Sequence, residues 1–256
     1  MTWKVTVLTL FPEMFPGTLG FSLAQKALSL GFWSLDVINI RDFALDRHRS
    51  VDDTPFGGGA GMVLRPDVLE NALESVLKTT ETKNPALFYL SPRGQVFKQE
   101  TASTFLSTPE IIFICGRYEG LDQRFLDYYK IQELSIGDYV LFGGEVAAQV
   151  VLETCIRLIP GVIGTEDSLC EESFTKGLLE YPHYTRPFLW KGISVPDVLT
   201  SGHHEAIRSW RRLQSEDITK KKRPDLWLAK EPTPLPSKRK REKGLSKDVQ
   251  TDGLEI

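Results

Sequence analysis

Short apolar runs alternate with amphipathic stretches along the first 160 residues. Residues 3–10 read as a strand, 18–30 as a helix stopped by Gly31, and 35–40 as a second strand. The pattern then predicts a helix over 66–77, a strand over 86–90, a helix over 95–106 and a strand over 111–115. A short helix over 121–128, a strand over 131–136 and a helix over 145–159, ended by Pro160-Gly161, complete the series. Strands that are apolar at consecutive positions are buried on both sides, so the prediction is an α/β domain over 1–160, with a parallel sheet and helices on both faces.

After Pro160 the rhythm stops. Residues 161–175 show no period and read as a flexible interdomain linker. Residues 181–187 read as extended, 203–213 as a helix, and a second basic helical piece leads to Trp227, which gives a small, mostly helical domain over 176–229. Residues 230–256 carry Pro232, Pro234 and Pro236 followed by charges, and are expected to be a largely disordered tail.

Composition narrows the class. With 41% hydrophobic and 25% charged residues in 256, the chain has globular usage and enough material for a real core. Its longest apolar stretch, from Val5 to Phe11, is far short of the ~20 residues that cross a bilayer. No basic, apolar leader opens the chain, so a cytoplasmic protein with no membrane partner is expected. Cys115, Cys155 and Cys170 are odd in number and widely spaced, which reads as reduced thiols and not as a disulfide framework or zinc motif. Net charge is −3, yet ten lysines and arginines face three acids between Lys220 and Lys243. That block suits a solvated tail and phosphate contact equally well.

Glycines collect after three of the strands, in Ser91-Pro92-Arg93-Gly94, in Gly116-Arg117-Tyr118-Glu119-Gly120 and in the segment from Gly137 to Gly144. Each could serve a tight turn. Ligands of open α/β sheets bind beyond the carboxyl ends of strands, where glycine lets backbone amides come close, so three such loops converging would form one pocket. The polar, glycine-rich stretch from Asp46 to Met62 is neither a P-loop nor a dinucleotide fingerprint, and it reads as a substrate-facing lid. His48, His183, His203 and His204 lack metal-ligand spacing, and there is no Gly-x-Ser-x-Gly elbow.

One ordered set of motifs goes further than these patterns. Leu10-Phe11-Pro12-Glu13-Met14-Phe15, Arg41-Asp42-Phe43, Asp46-Arg47-His48-Arg49, Gly57-Gly58-Gly59-x-Gly61-Met62, Cys115-Gly116-Arg117-Tyr118-Glu119-Gly120, Ser135-Ile136-Gly137-Asp138-Tyr139-Val140, Gly143-Gly144-Glu145 and Pro182-His183-Tyr184-Thr185-Arg186-Pro187 resemble the bacterial tRNA (guanine-N1) methyltransferases of the SPOUT class. The likeness runs from Trp3 to Trp227. It implies a deep trefoil knot, an exception to the rule against knots. It also implies a homodimer with the active site shared across the interface, S-adenosylmethionine as methyl donor, magnesium as a possible aid, and tRNA as substrate. The target implied is N1 of the guanosine immediately 3′ of the anticodon where the preceding base is also G.

Carried over residue by residue, the resemblance assigns the donor site to Tyr89, Leu90, Ser91 and Pro92, to Gly116, Tyr118, Glu119 and Gly120, and to Ile136, Gly137, Asp138, Tyr139, Val140, Leu141, Gly143 and Gly144. Ala147 stands where many relatives carry proline, which implies a small change in loop stiffness. Guanine N1 carries a proton at neutral pH, so methylation needs a general base and a donor toward O6. The family's aspartate base corresponds to Glu172 in Glu171-Glu172-Ser173-Phe174, one methylene longer, with Asp167 as the competing carboxylate. Arg157 corresponds to the arginine that contacts the target base, although from its position alone it would read as a surface residue favouring a helix C-terminus. For tRNA the candidates are Arg41, His48, Asp52, Gly58 and Gly59 in the lid region and His183, Arg186, Arg208, Arg211 and Arg212 beyond the linker. Asp52 and Asp53 could accept from a guanine edge, or one could cap the turn before Pro55. Another SPOUT RNA methyltransferase, or a non-catalytic RNA-binding module, are the competing readings.

Overall fold

Alternate residues of β1 (Trp3–Thr9) face opposite ways: Val5 and Val7 enter one apolar cluster and Leu8 enters another. The same parity repeats in β6 (Glu110–Ile114), where Ile111 and Phe113 point one way and Ile112 and Ile114 the other, and all five residues are buried. Together with β2 (Trp33–Asn39), β5 (Ala86–Val96) and β7 (Gln132–Ser135) they form a five-stranded sheet in the order β2-β1-β6-β5-β7, parallel at every pairing. In the computed structural model, residues 2–82, 84–164 and 171–230 are described. They divide into two units, the first ending at Glu171 and the second beginning at Glu172.

Helices α1 (Ser22–Ser29), α3 (Gln99–Leu106) and α5 (Gly144–Ile156) cover one face of the sheet; α2 (Pro66–Thr79) and α4 (Gln123–Tyr129) cover the other. On the first face the rings of Phe88 and Phe105 lie 4.6 Å apart, and Ala148, Val151, Leu152 and Cys155 of α5 are fully buried. On the second, Leu69, Ala72 and Leu73 of α2 pack over Leu8, Ile112 and Ile114. Two apolar clusters on opposite faces of one sheet are the arrangement that parallel strands require.

Several element boundaries differ from the pattern reading. The helix expected over 18–30 is a 3-10 turn, Gly17–Gly20, and a separate α1, because Phe21 between them is extended at φ −132 and ψ 160. The helix expected from Gln95 starts only at Gln99, since Gln95 and Val96 still pair with β7. Leu90 and Gln95 both face Leu134, so Ser91, Pro92, Arg93 and Gly94 form a bulge inside one long strand. The helix expected over 145–159 ends at Ile156. The stretch from Asp46 to Met62 is not structureless: Asp52–Asp53 is a strand, β3, paired antiparallel with β4 (Val63–Leu64), and Val51 is fully buried.

In the second unit, α6 (His204–Lys222) runs well past residue 213 and is followed by α7 (Pro224–Lys230). Ion pairs Arg212–Glu216 and Lys221–Asp217, each one helical turn apart, support its exposed length. Thr219 is buried and ties the incoming chain to α6: its Oγ1 accepts from Leu179 N at 2.8 Å and donates to Ser215 O at 2.6 Å. A hairpin of β8 (Leu189–Trp190) and β9 (Ile193–Ser194) was not expected. Its turn residues Lys191 and Gly192 both take positive φ, 49° and 79°, which suits the twist of a two-residue hairpin. Among the described residues, no helix is long and apolar enough to cross a membrane.

Candidate functional site

The carboxyl ends of β6 and β7 and the bulge midway along β5 open into a cleft of about 330 Å³. Fifteen of the sixteen positions assigned to the donor line it, and Asp138 alone does not. Asp138 sits at the apex of a tight turn closed by Tyr139 N donating to Gly137 O at 2.9 Å, which leaves its carboxylate exposed and off the cleft. The Tyr139 hydroxyl donates to Ile136 O at 2.9 Å, folding the ring back over Gly137.

Sheet geometry positions the three walls. The bulge from Ser91 to Gly94 forms the first, and Arg93 clamps it by ion-pairing Glu133 of β7 at 2.9 Å and donating to Gln123 Oε1 of α4 at 3.3 Å. The loop after β6 forms the second. Here Tyr89 fills the space that side chains at Gly116 and Gly120 would need: a Cβ at Gly116 would lie 2.7 Å from Tyr89 Cε2, and one at Gly120 2.9 Å from its hydroxyl. Burial pushes the Tyr89 phenol up, so it remains a neutral hydroxyl beside the cleft at working pH. The third wall is the segment from Tyr139 to Gly144, joined to the second by Gly144 N donating to Gly116 O at 3.1 Å. Burial, with the nearby Glu145 charge, raises the Cys115 thiol well above its ordinary value, so this cysteine behind the wall is no nucleophile.

The lid is rooted in the same loop. Glu119 N donates to Met62 O and Leu64 N to Gly120 O, both at 2.9 Å. Beyond that root, Phe56 is 99% exposed and Gly58 and Gly59 stand in open space. Arg41 serves the lid's own structure, donating to Arg49 O at 3.1 Å, and His48 N donates to Asp46 Oδ1 at 2.8 Å. Asp53 takes the capping role, accepting from Thr54 N at 2.7 Å, whereas Asp52 is half-buried in β3.

Not every assigned residue meets the cleft. Arg157 is the C-cap of α5, whose Gly144 and Ala147 line the cleft; the ten residues of helix from Ala147 place it roughly 15 Å away in the same chain. Glu172 opens the second unit. In that unit His183 Nε2 lies 2.7 Å from Glu180 Oε1, the Arg211 guanidinium stacks 4.8 Å from the Tyr181 ring, and Arg186 and Arg208 are exposed. Asp167, Cys170 and the basic block from Lys238 to Lys243 lie outside the described residues.

Arg93, Arg117, Leu121, Leu134, Ser135, Phe142 and Ala147 also line the cleft and were missed by the residue assignment. Two of them were within reach, because Arg93 and Arg117 are the only cations inside the first two glycine loops. The apolar ones carry no signal apart from the fold, since any strand interior supplies such residues.

Comparison with known proteins gives a consistent answer. The family model described as tRNA (Guanine-1)-methyltransferase TrmD matches residues 3–229. A tRNA (guanine-N(1)-)-methyltransferase of Rhodospirillum rubrum is 56% identical over 227 residues, 89% of this chain and 93% of its own length. One from Wolbachia pipientis wMel is 56% identical over 228 residues, covering 88% and 96%, and one from Nitrobacter winogradskyi is 53% identical over 231 residues, covering 90% and 95%.

Proposed function

Because the chain belongs to the tRNA (guanine-1)-methyltransferase family, we propose that its cleft binds S-adenosylmethionine and that the enzyme methylates N1 of the guanosine immediately 3′ of the anticodon, after a preceding G. The methyl transfer to tRNA guanine follows from the family; the site, the residues and the position in tRNA are the further reading. The observation that carries it is the cleft itself, at the carboxyl ends of β6 and β7 and the bulge of β5 between them, walled by the three glycine-bearing segments.

The residues present fit this donor. A cleft of about 330 Å³ lies at the low end of the ~300–1,000 Å³ usual for small-molecule sites. Its glycine walls offer backbone groups to an adenosine, Leu141 and Val140 offer apolar cover, and Glu119 adds a carboxylate to the lining. Bound S-adenosylmethionine supplies an electrophilic methyl group and leaves as a thioether.

The chain's own groups supply the rest of the chemistry. Glu172 takes the N1 proton as general base, so that the N1 lone pair becomes available, and Arg157 donates toward O6 as negative charge develops there. The roughly 15 Å of helix between Arg157 and the cleft of its own chain is the separation that a shared site in a homodimer would bridge, with Arg157 of one protomer serving the cleft of the other. The trefoil knot of the SPOUT class belongs to this reading through the family. Residues 161–175 act as the tether and 176–229 as a tRNA-binding domain. The exposed cations Arg186, Arg208 and Arg212, with Arg211, His183 and the lid residues Arg41, His48, Asp52, Gly58 and Gly59, hold tRNA, mainly through its phosphates. Magnesium enters by resemblance only. Among the described residues no three His, Cys, Asp or Glu side chains gather as ligands, so none is assigned to it.

The test is donor-derived methyl incorporation into tRNA transcripts with G or A at the target position, at rising salt, for wild type and Glu172→Gln. Incorporation confined to G, falling steeply with salt and nearly abolished by Glu172→Gln with donor binding retained, is the expected result. Equal labelling of A, or full turnover without the Glu172 carboxylate, refutes the assignment.

A further inference from the structure

Behind the cleft lies a buried ionic cluster to which the mechanism above gives no task. Glu145, in the first turn of α5, has a side chain only 1% exposed. Its Oε1 accepts from Thr9 Oγ1 at 2.7 Å and from Arg117 Nε at 3.1 Å; its Oε2 lies 3.0 Å from the same Nε and takes no aligned hydrogen bond among the described residues. Thr9 Oγ1 in turn accepts from Phe11 N at 3.0 Å. Arg117 is held on every side: its guanidinium stacks 4.3 Å from the Phe11 ring, touches Met14 Sδ at 3.2 Å and donates to Phe142 O at 3.4 Å. A side chain at Gly143 would collide with it.

These contacts join the side chains of three elements, namely the end of β1, the loop after β6 and the start of α5. We propose that Thr9, Glu145 and Arg117 form a positioning strut that fixes the cleft wall from Leu141 to Gly144 in its donor-binding place. The inference rests on reading the cleft as the donor site. Its physical ground is that, apart from the Gly144 N to Gly116 O bond at its end, this wall stands open: Phe142 is 98% exposed, Val140 85% exposed, and the wall offers a ligand mostly backbone, whose position alone sets the strength of each hydrogen bond. A buried carboxylate left without its cation draws in water or a new partner, and the arginine that carries Phe142 moves with it. Thr9, Glu145 and Arg117 are therefore positioning residues. None transfers a proton, and none needs to touch the reacting atoms.

The experiment compares Arg117→Gln, Arg117→Lys and Glu145→Gln with wild type. The readouts are kcat and donor KM at saturating tRNA, and calorimetric binding of S-adenosylhomocysteine. Arg117→Gln and Glu145→Gln should raise donor KM and weaken S-adenosylhomocysteine by about tenfold, the equivalent of one hydrogen bond to a charged group. Turnover at saturating donor should stay within about twofold of wild type, the signature of lost uniform binding. Arg117→Lys keeps the charge opposite Glu145 and should recover part of the loss. Arg117 itself lines the cleft whereas Thr9 and Glu145 do not, so Glu145→Gln decides between a strut and a direct contact, and Thr9→Val, which removes only the hydroxyl that donates to Glu145 Oε1 and should raise donor KM in the same direction, carries the test if Glu145→Gln does not fold. Unchanged donor KM with a lowered melting temperature would overturn the strut, because a purely structural pair costs folded protein and not donor affinity. Failure of wild type itself to bind S-adenosylhomocysteine would instead overturn the donor reading and the strut with it.

Discussion

Two glycine-rich segments of the first unit look alike in sequence and exist for opposite reasons. At the cleft, Gly94, Gly116 and Gly144 need no unusual backbone angle, yet a Cβ at any of them would meet atoms within 2.9 Å. In the lid, Gly57, Gly58 and Gly59 have empty space around them but stand at φ 89°, 78° and 119°, where side chains are strained. These three are there for space and those three for conformation, while Gly120 and Gly137 of the cleft, at φ 112° and 145°, and Gly61 of the lid, whose Cβ would run into Glu119 Cγ, answer to both demands. A cleft built by space is rigid and fails when filled; a lid built by conformation tolerates bulk and loses only its preferred shape.

Alanine substitution separates the two. The largest effect is expected for Gly94→Ala, whose Cβ would run into the backbone of Glu133 and Leu134 on the neighbouring strand. Backbone cannot swing aside, so β5 and β7 must part at the bulge, and urea denaturation should show a loss of ~3 kcal/mol, the upper end for overpacking. A wild-type midpoint for Gly94→Ala would break the comparison at once. Gly116→Ala is next. Its obstacles are side chains, Tyr89 Cε2 at 2.7 Å and Leu121 Cδ1 at 2.8 Å, which can yield, so the expected cost is ~1–2 kcal/mol. Donor affinity should fall by about tenfold with tRNA affinity unchanged, because the displaced Tyr89 ring lines the cleft. Gly58→Ala should leave donor KM and the unfolding midpoint at wild-type values, since ~1–2 kcal/mol of left-handed strain is absorbed within an exposed loop. A few-fold rise in tRNA KM would be its whole effect.

How far the sequence foretold these features follows the same division. The sheet was legible because Val5, Val7 and Leu8, and Ile111 through Ile114, are apolar at positions that face both ways, and the cleft was legible because glycines gather where β5, β6 and β7 converge. The bulge was not, since nothing local says that Gln95 returns to pair with Leu134 after Ser91-Pro92-Arg93-Gly94 has left the ladder; only the neighbouring strand decides that. The hairpin at Lys191-Gly192 escaped notice because two-residue strands are too short to show alternation. The helix from His204 continued past Leu213 because its later turns are held by ion pairs and a buried Thr219, which an apolar periodicity cannot reveal. The Glu145–Arg117 pair stayed hidden for a related reason: its members are 28 residues apart, and only the fold shows that both are turned inward.

The smallest expected effect tests the rigid side of the comparison most directly. Cys115 lies immediately behind the glycine wall, and a Cβ at Gly144 would stand 2.9 Å from its Cα. Burial first, and the Glu145 charge second, raise its thiol far above the ordinary range, with Arg117 opposing only in part. A raised thiol pKa means less thiolate than a free cysteine has at any given pH, so alkylation should be suppressed even where an ordinary thiol, with pKa ~8.5, is half ionised. Cys155, pushed up to about 12 by burial alone, should behave in the same way. Iodoacetamide at pH 8.5 followed by peptide mapping should therefore leave both unmodified in the native enzyme, with Cys170 scored separately. Gly144→Ala, by levering the wall off Cys115, should render that one thiol reactive while Cys155 stays protected. If Cys115 in the wild type instead reacts as fast as an exposed thiol, the wall opens on its own, and the cleft shares the lid's freedom after all.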